Sequence, residues 1–184
     1  MSKIIDTQPF LRYFFEEPNR WFHVREMSRL LRLNPSTASK YLNQLYKGGF
    51  LNRKYERGHL LFKSDNENGN FKDAKLYHNI RCIRNSGLIE YLDKYLHYPE
   101  TISIFGSYSK GENDHNSDLD LFVISNMKKE LNLGVFEKKL GAKIHLFIKT
   151  KNDFGNLQKE NKNLANSIIN GIVLKGYLEV FHEV

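Results

Sequence analysis

Apolar residues in the first third of the chain recur at helical spacing in two stretches, Phe10, Leu11, Phe14 and Phe15, then Val24, Met27, Leu30 and Leu31. Each stretch predicts an amphipathic helix with one buried face. A third helix is predicted to open at Asn34-Pro35-Ser36-Thr37, where asparagine suits the N-cap and proline the first helical position. Ala38, Leu42 and Leu45 form its inner face, and Gly48-Gly49 stops it. Phe50-Leu51 and Leu60-Leu61-Phe62 then bracket the polar segment Asn52 to His59, with Arg57-Gly58 at its tip, a β-hairpin pattern. Ser64 to Asn70 holds no apolar residue and reads as a loop. From Phe71 the residues Leu76, Ile80, Ile83, Leu88, Ile89, Leu92 and Leu96 return to a mostly helical spacing, with a break near Asn85-Ser86-Gly87 and an end at Pro99. Beyond it, Thr101 to Phe105 predicts a strand, Gly106 to Gly111 a polar turn, and the stretch through Leu119 to Val123 a second strand.

Composition narrows the class. The 184 residues are 40% hydrophobic and 27% charged, with only four prolines, which excludes collagen-like and wholly disordered chains. One cysteine, Cys82, excludes a disulfide framework, and seven scattered histidines without a C-x-x-C argue against a structural zinc site. Cys82 and His78 read as structural, since no catalytic partner is seen at a matching offset. The start, Met-Ser-Lys-Ile-Ile-Asp-Thr-Gln-Pro, has no long apolar segment, and no apolar run nears the roughly 18 residues a membrane helix needs. A cytoplasmic protein without a membrane partner is expected.

The net charge of +7 is unevenly placed. Residues 1–64 carry 12 Lys and Arg against 5 Asp and Glu, whereas the remainder carries 16 of each. The basic excess therefore belongs to the first third, and three segments are expected: a basic domain at 1–64, a helical linker at 65–98 and a second domain at 99–184. Such a localised excess fits a nucleic-acid partner. Three helices and a hairpin are the winged helix-turn-helix order, and Asn34 to Leu51 resembles the third helix and first wing strand of many winged helix-turn-helix regulators. With the apolar side inward, Ser36, Thr37, Ser39, Lys40 and Asn43 face outward, where they can meet base edges or phosphates of double-stranded DNA. Arg53, Lys54 and Arg57 would reach the flanking backbone or minor groove as a wing does. The same order of elements also serves protein contact, so a protein-binding role stays open.

In the second domain, Asp118 and Asp120 stand two apart in a strand pattern, so both carboxylates fall on one face. Two like charges that close repel unless a cation sits between them, and an oxygen-seeking Mg²⁺ suits them. Upstream, Gly106 allows a tight turn and a close backbone approach, and backbone N–H groups at the following helical turn suit phosphates. Gly106-Ser107 followed by Ser117-Asp118-x-Asp120 resembles the Gly-Ser, Asp-x-Asp signature of the DNA polymerase β-like nucleotidyltransferase superfamily, closest to its small members. The resemblance runs from about Pro99 to Ile148, with Phe154 to Gly176 similar to the closing helix and strand of some winged-helix-fused members. It implies that Gly106 and Ser107, with Lys110 nearby, hold a nucleoside triphosphate, and that Asp118 and Asp120 bind Mg²⁺.

The superfamily places a third carboxylate on a later strand. The matching segment is Gly141 to Ile148, with His145 at that place and no Asp or Glu between Lys138 and Lys151. A neutral imidazole is a poor Mg²⁺ ligand but a competent general base, so His145 is either catalytic or merely tolerated there. The expected fold class is α+β, a winged helix-turn-helix followed by a nucleotidyltransferase-like α/β domain with a small mixed sheet. Two functions follow: transfer of a nucleoside monophosphate to an acceptor hydroxyl, or transcription regulation by a degenerate, antitoxin-like nucleotide-binding protein. A protein acceptor and a homodimer on two half-sites are compatible with both.

Overall fold

The aromatic pattern at the start of the chain produces helix α1, Gln8–Glu16, whose Phe10, Leu11, Phe14 and Phe15 are all buried. This is a computed structural model, and it describes residues 8–127 and 129–180. The start noted above for having no long apolar segment rests largely on residues 1–7, outside the described residues. The described residues divide between two compact units, Met1–Lys75 and Leu76–Val184.

In the first unit α1 is followed by strand β1, Phe22–His23, helices α2, Val24–Leu30, and α3, Pro35–Lys47, and strands β2, Leu51–Glu56, and β3, His59–Ser64. The strands form an antiparallel sheet in the order β1-β3-β2. Arg57, at φ 49°, and Gly58 turn the hairpin where the sequence places its tip. Ala38, Leu42 and Leu45 of α3 are buried with Phe14, Phe22 and Phe62. Asn34 holds the N-cap position in extended backbone, yet its side chain makes no capping hydrogen bond. Leu30, expected inside, is 44% exposed at the last position of α2, whose buried residues are Met27 and Ser28.

Helix α4, Gly69–Ser86, leads into the second unit, and Gly87, at φ 82°, separates it from α5, Leu88–Tyr95. Residues 65–98 were expected as a helical linker. They are mainly helical, and Leu88, Ile89, Leu92 and Leu96 are buried in the core of the second unit. His78 and Cys82, expected without a partner, are partners of each other on α4, with Nε2 and Sγ 3.5 Å apart. Their spacing of four residues brings both to one side of the helix. Next come strands β4, Thr101–Phe105, and β5, Leu119–Ile124, helix α6, Gly134–Leu140, strand β6, Ile144–Lys149, helices α7, Lys151–Glu160, and α8, Lys162–Ile169, and strand β7, Ile172–Gly176. The sheet is mixed, in the order β6-β5-β4-β7, with β5 and β6 parallel and the other pairs antiparallel. Both of its faces are covered. Ile102, Ile104, Leu119, Leu121 and Val123 pack with α5, whereas Phe105, Phe122 and Ile124 pack with Phe154 of α7 and Ile168 of α8. Among the described residues no helix is long and apolar enough to cross a membrane.

Candidate functional site

Strands β4 and β5 fix the site because their antiparallel register sets Phe105 across from Asp120. The chain leaves β4 at Gly106 with φ 69°, a left-handed conformation that favours glycine. A Cβ at that position would lie 2.6 Å from Asp120 Oδ2, so the carboxylate occupies the space any side chain would need. Gly106 is thus required twice, once by its backbone and once by its neighbour.

On the other side of β5, the parallel register pairs Asp120 with His145 of β6. The His145 Nδ1 atom lies 3.5 Å from Asp120 Oδ1, and its Nε2 lies 3.6 Å from Asp118 Oδ2. One imidazole therefore faces both carboxylates. Asp120 is the most enclosed of the three side chains, 28% exposed against 39% for Asp118 and 53% for His145. Burial holds its carboxyl above the usual aspartate range; His145 opposes that shift and the charge of Asp118 adds to it. A carboxylate in this state gains from a cation. Among the described residues, no three His, Cys, Asp or Glu side chains form a set able to hold a metal by themselves.

The loop between the strands is tied down by groups the sequence pattern did not single out. Ser107 precedes a short 3-10 turn, Tyr108–Lys110, and the Ser107 carbonyl accepts from the N–H groups of Lys110 and Glu112 at 3.2 and 3.0 Å. The Ser109 hydroxyl donates to the Gly106 carbonyl at 2.9 Å. Ser107 is half-buried and Lys110 exposed beside Gly106. Asn79 of α4 donates to the Tyr108 carbonyl at 3.1 Å and to Asn113 Oδ1 at 2.7 Å, pinning both halves of the loop. Burial raises the Tyr108 hydroxyl above the usual tyrosine range, against a hydrogen bond from Asn113. Just before Asp118, Asp114 Oδ1 accepts from the Asn116 N–H, and the Asp114 N–H donates to Ser117 Oγ, a turn that sets the approach to β5.

Residues 87–177 match the family model described as Polymerase beta, Nucleotidyltransferase. That match supports a nucleotidyltransferase-like domain in the second unit. The match takes in Gly106, Asp118, Asp120 and His145, and it extends the resemblance beyond Pro99 to Ile148 at both ends, from before α5 to past β7. No curated protein and no solved structure matches the chain. Of the residues assigned to the nucleotidyltransferase domain from sequence, Gly106, Asp118, Asp120 and His145 converge, while Ser107 and Lys110 lie on the adjoining turn.

The first unit has its own cluster. Ser36 and Lys40 of α3 are exposed, and Thr37, Ser39 and Asn43 are half-buried. On the hairpin, Arg53 and Arg57 are exposed and Lys54 half-buried. The Lys54 ammonium sits 4.6 Å from the Trp21 ring centre and pairs with Glu56. Arg53 turns to α3, where it lies 4.2 Å from the Tyr46 ring centre.

Proposed function

We propose that the nucleotidyltransferase domain moves a nucleoside monophosphate from a triphosphate to an acceptor hydroxyl, in a protein whose first unit is a winged helix-turn-helix that binds duplex DNA. The observation that carries the first part is the pair Asp118 and Asp120, with Gly106 pressed against the Asp120 carboxylate. Mg²⁺ usually keeps several waters and takes one or two carboxylates plus substrate phosphates. Asp118 and Asp120 match that donor set, and the imidazole of His145 stands outside it. Bound there, Mg²⁺ would supply Lewis-acid stabilisation of the charge on the reacting phosphates.

The chain's own residues do the rest. Gly106 lets the backbone approach the triphosphate, and Ser107 and Lys110 lie beside it to bind its oxygens. His145 accepts the acceptor's proton on a ring nitrogen as the bond from that oxygen to the α-phosphorus forms. The bond from the α-phosphorus to the bridging oxygen breaks, and pyrophosphate leaves with its electron pair. A second reading, a transcription regulator that binds a nucleotide without turnover, is favoured by His145 at the place of the third acid and by the missing three-ligand set among the described residues.

The DNA part is supported by the helix and hairpin order, the concentration of basic charge in residues 1–64, and the exposed Ser36, Lys40 and Arg57. A cytoplasmic homodimer on paired half-sites belongs to the same reading. The deciding experiment is turnover with α-labelled triphosphates, with and without cell extract to supply a protein acceptor. Label transfer that disappears in Asp118→Asn/Asp120→Asn supports the enzyme. If His145 is the base, His145→Asp lowers that activity. A rise in His145→Asp assigns the position to a missing ligand instead. Nucleotide binding without transfer to any acceptor leaves the regulator.

A further inference from the structure

The alternation of side chains along β2 separates Arg53 from its neighbours on the hairpin. Arg53 pairs across the sheet with Phe62, which pairs in turn with Phe22, and both phenylalanines are fully buried. Arg53 therefore leaves the strand on the core side, whereas Lys54 leaves on the outer side, over Trp21. On the core side the guanidinium runs out across Tyr46 and Nη1 donates to Asn43 Oδ1 at 2.8 Å. Asn43 Nδ2 donates to the Ser39 carbonyl at 2.8 Å. Ser39, Asn43 and Tyr46, spaced i, i+4 and i+7, form one stripe of α3, and Arg53 is laid along it.

We infer that Arg53 is the base-reading group of this face, specific for guanine, and that Asn43 and Tyr46 are positioning residues that hold it. The inference rests on the DNA-binding reading above. An asparagine that reads adenine needs its oxygen and its amide N–H together, and here both are engaged within the protein. A guanidinium carries five N–H donors in a rigid fork. Asn43 takes one and the Tyr46 ring fixes the plane, so a pair of donors remains for guanine O6 and N7. A backbone phosphate asks only for charge, which Lys40 and Arg57 offer from exposed positions.

The test uses the full-length protein and a pool of randomised duplexes. Wild type should enrich a motif with a fixed guanine, and 7-deazaguanine at that place, which lacks the N7 acceptor, should weaken wild-type binding on the order of tenfold. Arg53→Lys keeps the charge and should lose the preference at that base pair alone; Asn43→Ala should blunt the same preference and leave the others. A fixed adenine lost in Asn43→Ala and kept in Arg53→Lys overturns the inference, as does an equal loss of all sequences in Arg53→Lys. A sequence-specific wild type whose preferences survive both substitutions overturns it while the DNA-binding reading stands. A wild type that binds no duplex overturns both.

Discussion

In the first unit Lys40 of α3 and Arg57 at the hairpin tip stand exposed off an aromatic core, whereas in the second unit Asp120 is wedged between the sheet and Gly106. Asp120 faces Gly106 so closely that a methyl group between them has no room, and burial makes its charge unfavourable. Surface charges of the first kind can be exchanged with little effect on the fold. A site of the second kind ties its function to its stability, because the Asp120 carboxylate carries its charge in a partly buried place.

The contrast can be broken at the core first. Phe62→Ala removes a fully buried ring shared by β1, β2 and the helices. It should lower the stability of the first unit by about 3–5 kcal/mol, read as an earlier denaturant midpoint, with DNA affinity lost. Next in size is Gly106→Ala, which meets both a positive φ and the Asp120 carboxylate. It should cost about 1–3 kcal/mol, with triphosphate binding impaired and DNA binding intact. A melting curve unchanged from wild type would show that the loop relaxes freely.

Smaller effects sharpen the same distinction. Lys40→Ala and Arg57→Ala should each reduce the slope of log affinity against log salt by about 0.9, for all sequences alike and with no change in stability. Asp120→Asn has the smallest effect and the opposite sign for stability. Because the native carboxyl titrates above its unfolded value, the wild type binds its proton more tightly when folded, and its stability falls as pH rises through the interval between the two values. The neutral asparagine avoids that loss. The variant should melt slightly above wild type near neutral pH, and the difference should vanish once the solution is more acidic than the unfolded pKa. A variant that melts lower at neutral pH would mean that the contact with His145 outweighs burial.

What was legible in the sequence was whatever is local. Asp118 and Asp120 share a face because the strand repeats every two residues, and Gly106 and the Arg57-Gly58 turn announce themselves by residue type. His145 was placed by the resemblance, which sets a third acid on a later strand, and its register with Asp120 agrees. The rest depends on contacts distant in the chain. Asn79 pins a loop 29 and 34 residues away, which no spacing rule reaches. Strand β1 has two residues, too few for a period, and forms because β3 offers it a partner. Arg53 was read as a wing residue like Lys54, since only the pairing with Phe62 decides which side of the hairpin each takes. The stretch at 88–96 looked like a linker because its apolar spacing shows a buried face but not which core receives it.

The most direct measurement is a calorimetric titration of the full-length protein with a nucleoside triphosphate, in the presence and absence of Mg²⁺, for wild type and for Asp118→Asn/Asp120→Asn. Metal-dependent binding by the wild type, absent in the double variant while duplex DNA affinity is retained, is the result that a two-carboxylate site beside Gly106 predicts. Equal Mg²⁺-dependent affinity in the two proteins would contradict it.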